Sequence, residues 1–345
     1  MNFFIRCDIH SSIGSGHAFR CLNLAKILIK YKHEVFFISK YINENFKKIL
    51  LKNKIKLIFL KKNLNEINDA EDTLLKIKKI FKKNDWIIVD SYKLGLFWEK
   101  KINTYCKNIF VIDDFQDRKH KCKLFLNQNI IAKKTKNIHL SKDANVIIGP
   151  KYSLLDEKFN ELRKKARIRK KFDKVMLFFG STDEFNLTEK CTDILLSLIS
   201  KNVKLNLIIG STNKYKNQIF KKYAKKKQIK ILFNLENLAN HMLDTDAFIG
   251  SGGVTTWERC CLKLPSLVIS TAKNQESHNR YLLKKNVIMY LGNHKKLNKA
   301  KIKKELINFM KIKNLKKLSK NSSNITDGLG CIKVYKEILK INAKN

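Results

Sequence analysis

Short apolar runs of strand length alternate with longer amphipathic stretches along most of this chain, and no other feature constrains its fold so tightly. Runs that predict strands lie near 3–8, 34–39, 55–60, 86–90, 108–112 and 145–148, with a second series near 173–179, 203–209, 229–233, 246–250 and 266–270. Helical stretches fall between them at 17–31, 66–83, 186–200, 214–226, 254–263 and 275–285. Apolar strands separated by amphipathic helices mark βαβ units, in which helices cover both faces of a parallel sheet. The two series part after Gly149-Pro150-Lys151-Tyr152, and the charged stretch from Leu155 to Lys171 reads as a helical linker. A chain of 345 residues has room for two such domains. The expected fold is therefore α/β, with a Rossmann-like domain over 1–152 and a second over 153–345. The second ends in lysine-rich helices from 295 onward, the last of which can pack back on the first domain. Parallel sheets facing one another across a cleft would place the active site at the carboxyl ends of their strands.

Composition then narrows the partners. No apolar run reaches the roughly 18 residues of a membrane span, and the first residues read as a strand rather than a signal peptide, so a cytoplasmic protein is expected. The eight cysteines form no Cys-x-x-Cys pair and mostly sit in apolar segments, where a thiol behaves as a small hydrophobe. The formal charge of +42 raises the question of nucleic acid, since basic surfaces attract phosphate backbones. Only eight of the 72 basic residues are arginine, however, and the lysines are scattered rather than interleaved with aromatics. Abundant Ile and Asn with 12 Gly and 2 Pro complete the signature of AT-rich coding DNA. A monomer is expected, with neither a nucleic-acid nor a membrane partner. In such a chain a retained arginine implies a need for its planar, bidentate guanidinium, and Arg6, Arg20, Arg118, Arg259 and Arg280 all fall in or beside the informative segments.

The first of these segments runs from Arg6 to Cys21, with Asp8 at the strand end, Gly14 and Gly16 in the turn, and His17 and Arg20 opening a helix. Backbone N–H groups at such a start can hold a phosphate or sugar oxygen. In the first turn the positive end of the helix dipole favours the neutral imidazole that a general base requires. A capping or packing histidine is the plainer alternative for this local pattern. Gly180-Ser181-Thr182-Asp183 repeats the strand-glycine-helix pattern in the second domain, with Gly180 and Asp183 as candidates for binding. The densest segment holds Ser251, Gly252, Gly253, Thr255, Thr256 and Glu258, and its glycines and hydroxyls suit a pyrophosphate. Glu258 lies within the following helix, positioned to accept the hydroxyls of a ribose. A dinucleotide fingerprint would carry its acid about 20 positions later, so the pattern favours a UDP-type mononucleotide. Asn274, Gln275 and Glu276 follow another strand and would project toward the same ligand, as would Tyr92 in Asp90-Ser91-Tyr92.

Asp113-Asp114-Phe115-Gln116-Asp117 spells the Asp-Asp-x-x-Asp of magnesium-dependent prenyl synthases. Those enzymes carry it on a helix of an all-helical fold, whereas here it ends a strand. The eight histidines show no His-x-x-x-His pair. No metal and no cofactor are expected.

Taken together these segments resemble the UDP-sugar hydrolases of pseudaminic acid biosynthesis, which act on UDP-2,4-diacetamido-2,4,6-trideoxy-β-L-altropyranose. The resemblance rests on Asp8, Gly14-x-Gly16-His17-x-x-Arg20-Cys21, Asp113-Asp114 and Leu126-Asn127-Gln128-Asn129. It continues through Gly149-Pro150-x-Tyr152-x-Leu154-Leu155 to Gly253-x-Thr255-Thr256-Trp257-Glu258-Arg259-Cys260-Cys261 and Asn274-Gln275. It implies a glycosyltransferase-B-like fold and a metal-independent hydrolysis that inverts the anomeric carbon. His17 matches the base of that family, Tyr92 a tyrosine near the water, and Asn274 a substrate-binding asparagine. Ser181 departs from the family, whose members commonly have a second glycine there. A glycosyltransferase of the same fold is the alternative, because it too would place a glutamate at the spacing of Glu258.

Overall fold

Phe3 and Ile5 belong to one buried apolar cluster and Phe4 to another. Successive side chains of a strand point to opposite faces, so this strand is covered on both sides. It is β1 (Asn2–Arg6) of the computed structural model, which describes residues 1–9, 16–115, 118–130, 140, 141 and 143–343. Gly14 lies outside the described residues. With β2 (Glu34–Ser39), β3 (Lys56–Phe59), β4 (Trp86–Val89), β5 (Ile109–Ile112), β6 (Leu124–Asn127) and β7 (Asn145–Ile148) it forms a sheet of order β3-β2-β1-β4-β5-β6-β7. Every neighbouring pair is parallel. The helices between these strands are α1 (Gly16–Lys30), α2 (Glu44–Lys52), α3 (Glu66–Ile77) and α4 (Leu96–Asn103). α3 stops six residues before the expected 83. Beyond it the Asp85 carboxylate accepts the amides of Lys82 at 2.8 Å and Asn2 at 2.6 Å, turning the chain into β4.

The second unit, Asp156–Gly328, is built on the same plan. Its strands β8 (Lys174–Phe178), β9 (Lys204–Ile209), β10 (Ile229–Phe233), β11 (Ala247–Ser251), β12 (Ser266–Ser270) and β13 (Met289–Asn293) lie in the order β10-β9-β8-β11-β12-β13, all parallel. Its helices are α5 (Glu157–Arg163), α6 (Leu187–Leu196), α7 (Lys216–Tyr223), α8 (Ala239–Leu243), α9 (Thr255–Cys261), α10 (Glu276–Lys284), α11 (Lys299–Phe309) and α12 (Ile312–Ser322). The last helix, α13 (Gly330–Asn342), returns to the first unit, which comprises Met1–Leu155 and Leu329–Asn345. This corrects the contiguous 153–345 assignment at both ends. Val334 and Ile338 join the core that holds α1, and Trp86 Nε1 donates to Asn342 Oδ1 at 3.0 Å. All eight cysteines are buried, and among the described residues no helix is long and apolar enough to cross a membrane.

Candidate active site

In the first sheet the chain reverses its direction of growth between β1 and β4. Helices leave such a point on opposite faces, which opens a crevice at the carboxyl ends of the strands. Asp90, Asp114 and Asn129 follow the ends of β4, β5 and β6, and the parallel register brings them beside the start of α1. There the Arg20 guanidinium takes two carboxylates at once. Its Nε and Nη2 donate to Asp90 at 2.6 and 2.7 Å, and its Nη1 to Asp114 at 2.8 Å. His17 Nδ1 lies 2.5 Å from Asp90 Oδ1. Tyr92 donates its hydroxyl to Asp114 at 2.6 Å, and its ring meets the imidazole edge-on at 4.4 Å between centroids. Asn129 donates to the other Asp114 oxygen at 2.8 Å.

The electrostatics follow from this geometry. Burial alone would raise the Asp90 pKa, but the Arg20 charge and the His17 ring more than offset it and hold the carboxyl well below its usual range. An ionised Asp90 can only accept, so Nδ1 of His17 carries a hydrogen, and in the neutral ring this leaves the lone pair on Nε2. Burial and the Asp114 charge push the Tyr92 phenol well above its ordinary value, so it remains a donor. Burial would raise Asp114 as well, and the Arg20 guanidinium reverses the direction. The result is an oriented imidazole whose second nitrogen can accept a proton, with one guanidinium set between two carboxylates.

Other acids near these strand ends have internal roles. Asp8 accepts from Arg6 at 2.8 Å through both oxygens, and its Oδ1 also takes the Ser39 hydroxyl and the Lys40 amide. Asp113 faces away from its neighbour Asp114, toward Arg118 at 2.8 Å and the buried His120 at 3.1 Å. The Asp-Asp pair is thus split between two separate cation clusters. Among the described residues one grouping has metal-ligand proximity, Cys7, Cys21 and Asp90 within 4.8 Å, yet both Asp90 oxygens already serve Arg20 and His17.

The second sheet reverses between β8 and β11, and the loops after those two strands meet. Gly180 adopts φ +92°, a conformation open to glycine, and a Cβ there would lie 4.0 Å from Ser251 Oγ. At Gly252 a Cβ would press on the Asn279 side chain, which would have to shift to admit it. The Gly253 amide donates to Thr256 Oγ1 at 3.2 Å. Glu258 keeps one carboxylate oxygen buried without a hydrogen-bond partner, and burial pushes its carboxyl up to about 7. Asp183, expected among the binding residues, caps α6, its two oxygens each accepting an amide, from Leu187 and Thr188, at 2.9 Å. Gln275 accepts the Thr271 amide at 3.0 Å and staples its own turn. Glu276 is held by Asn293 at 2.8 Å, and Asn274 sits half-buried in the short turn Lys273–Gln275. Residue types alone did not separate these stapling roles from binding roles. Asp90 received no role from the sequence, although an acid just past a central strand in Asp90-Ser91-Tyr92 was the available signal.

Two parallel sheets, each reversing at a central pair of strands with a polar site beside the reversal, define a two-Rossmann protein of the glycosyltransferase-B-like class. MurG of Acinetobacter baumannii shares the fold at a TM-score of 0.70 and 12% identity, over 98% of this chain and 99% of that one. In sequence the chain is similar to the UDP-2,4-diacetamido-2,4,6-trideoxy-beta-L-altropyranose hydrolase of Campylobacter jejuni, 28% identical over 289 residues, covering 83% of this chain and 97% of the relative. It is 30% identical over 295 residues to an uncharacterised protein of Methanocaldococcus jannaschii, covering 82% of this chain and 59% of that protein. The chain therefore spans about three-fifths of the length of this archaeal relative. No protein-family model matches it.

Proposed function

We propose that the protein is a UDP-sugar hydrolase, with UDP-2,4-diacetamido-2,4,6-trideoxy-β-L-altropyranose as its substrate. The observation that carries this reading is the commitment of His17 Nδ1 to a buried carboxylate, which in the neutral ring leaves Nε2 as the acceptor. In the proposed reaction Nε2 takes a proton from water as the water oxygen bonds to the anomeric carbon. The bond from that carbon to the β-phosphate oxygen breaks, and UDP leaves with the electron pair. One base acting on one water inverts the anomeric configuration. UDP is stable as an anion, so amides and hydroxyls of the Ser251–Thr256 loop can stabilise it without a general acid. The test is incubation with a panel of UDP-sugars, following UDP release and the configuration of the first product by NMR. Turnover is expected to persist in excess EDTA. Loss on chelation, restored by magnesium, would overturn the metal-independent mechanism.

In this reading the orphan oxygen of Glu258 accepts the ribose hydroxyls. Glu258→Gln is then expected to weaken UDP binding by about 10- to 100-fold in calorimetry. Wild-type affinity should also rise with pH through about 7, where the carboxyl ionises. Stability moves the other way. A folded-state pKa raised from 4.5 to about 7 contributes stability that is present below 4.5 and lost as pH rises through 7. The Gln variant without ligand should therefore melt higher than wild type at pH 8 and show no such advantage at pH 4. Equal UDP affinity for variant and wild type would remove Glu258 from the site.

A further inference from the structure

The second unit buries two arginines in different ways. Arg169 uses every guanidinium nitrogen on backbone carbonyls, including Met242 and Leu243 at the end of α8 and Leu262 just past α9. It ties helix ends together, as a structural arginine should. Arg259 is equally buried, 1% exposed, but it is not satisfied. Its Nη1 donates to Ser251 O and its Nη2 to Thr256 Oγ1, each at 3.0 Å, and the guanidinium lies 4.2 Å from the Phe248 ring centre. Its Nε is buried without a partner, and no carboxylate lies within ion-pair distance among the described residues. Burial lowers its pKa only to about 10, so it is a cation at neutral pH. The neighbouring Glu258 carboxyl offsets part of the cost of burying this charge, and an approaching anion would offset more.

Both acceptors of Arg259 belong to the glycine loop. Thr256 Oγ1 accepts from Arg259 and from the Gly253 amide, which occupies both its lone pairs and leaves its O–H only as a donor. The cation thus sits directly behind the loop and ties Ser251 to Thr256. We propose that Arg259 is a positioning residue for a nucleoside diphosphate, shaping the 251–256 loop from behind while its positive charge favours the bound phosphates. This rests on the nucleotide reading above and adds a residue that does not itself need to touch the ligand.

The test compares UDP and uridine binding by calorimetry in wild type, Arg259→Met and Arg259→Gln, alongside melting temperatures with and without UDP. Loss of a charge-assisted contribution predicts UDP binding weakened by about 10- to 100-fold, with uridine affinity nearly unchanged. The unliganded variants should melt no lower than wild type, while the UDP-induced rise in melting temperature shrinks. A merely structural arginine would lower the unliganded melting temperature and weaken both ligands together, and that result overturns the proposal. So does UDP affinity that survives both substitutions, or failure of both variants to fold, because a cation whose burial is so costly should be dispensable to the fold. Wild-type protein that binds no UDP at all would overturn the nucleotide reading and this inference together.

Discussion

Replacing His17 by Phe is expected to lower turnover by about 10²- to 10⁴-fold, the range lost with a general base, while UDP affinity stays nearly unchanged. The division of labour explains the split. The imidazole belongs to the unit built on β1 and β4, whereas the glycine and hydroxyl loop proposed for the nucleotide follows β11 of the other. An effect on the rate constant alone marks an interaction made in the transition state, and a matching rise in KM would mark ground-state binding. Phe keeps an aromatic ring against Tyr92, so packing is preserved while the acceptor nitrogen is removed. A variant retaining most of its turnover would move the base elsewhere. Asp8 and Asp90 are poor successors, since their oxygens are already occupied by arginine and backbone donors or by His17.

Asp90→Asn should approach the same loss, about 10²-fold or more, without touching the imidazole itself. The carboxylate accepts Nδ1–H of His17 on one oxygen and Arg20 on both. An amide offers only one acceptor. If its oxygen stays with Arg20 Nε, its NH₂ faces His17 and selects the tautomer with hydrogen on Nε2, which cannot accept from water. Losing a charge from this buried network also costs about 3–5 kcal/mol of stability, so the variant must be assayed well below its melting temperature. Asp114→Asn provides the control. It likewise deprives Arg20 of a carboxylate but has no hydrogen bond to His17. Comparable destabilisation with much smaller loss of turnover would assign the difference to the tautomer. Equal loss in both variants would mean that Asp90 acts only by holding the network together. Because Asp90 works through His17, the double variant His17→Phe, Asp90→Asn should be no slower than His17→Phe alone.

The elements that sequence periodicity failed to find are instructive. β6 (Leu124–Asn127) has four residues between charged and polar flanks, too short to show a period, and it is a strand because β5 and β7 bond to it on either side. β13 (Met289–Asn293) pairs with β12 through an irregular register and carries Gly292 at φ +107°, features that weaken any strand pattern. Asp8 and Asp183 show a different limit. Both are acids beside glycine-bearing turns, and in a linear sequence a carboxylate that binds ligand is identical to one that accepts its own backbone amides.

The chain's own order of residues determined the strand and helix alternation, because apolar faces must be buried whatever the neighbours are. It also placed glycine after β8 and β11, and it marked His17 and Glu258 as candidates for chemistry and binding. Only the tertiary structure decided what those groups can do. His17 and Asp90 are 73 residues apart, and Arg20 and Asp114 are 94 apart. They meet because the parallel register of β1, β4 and β5 brings their carboxyl ends together. The tautomer of the imidazole, the orphan oxygen of Glu258 and the buried charge of Arg259 all depend on which neighbours exclude water, and that exclusion comes from packing between segments distant in the chain.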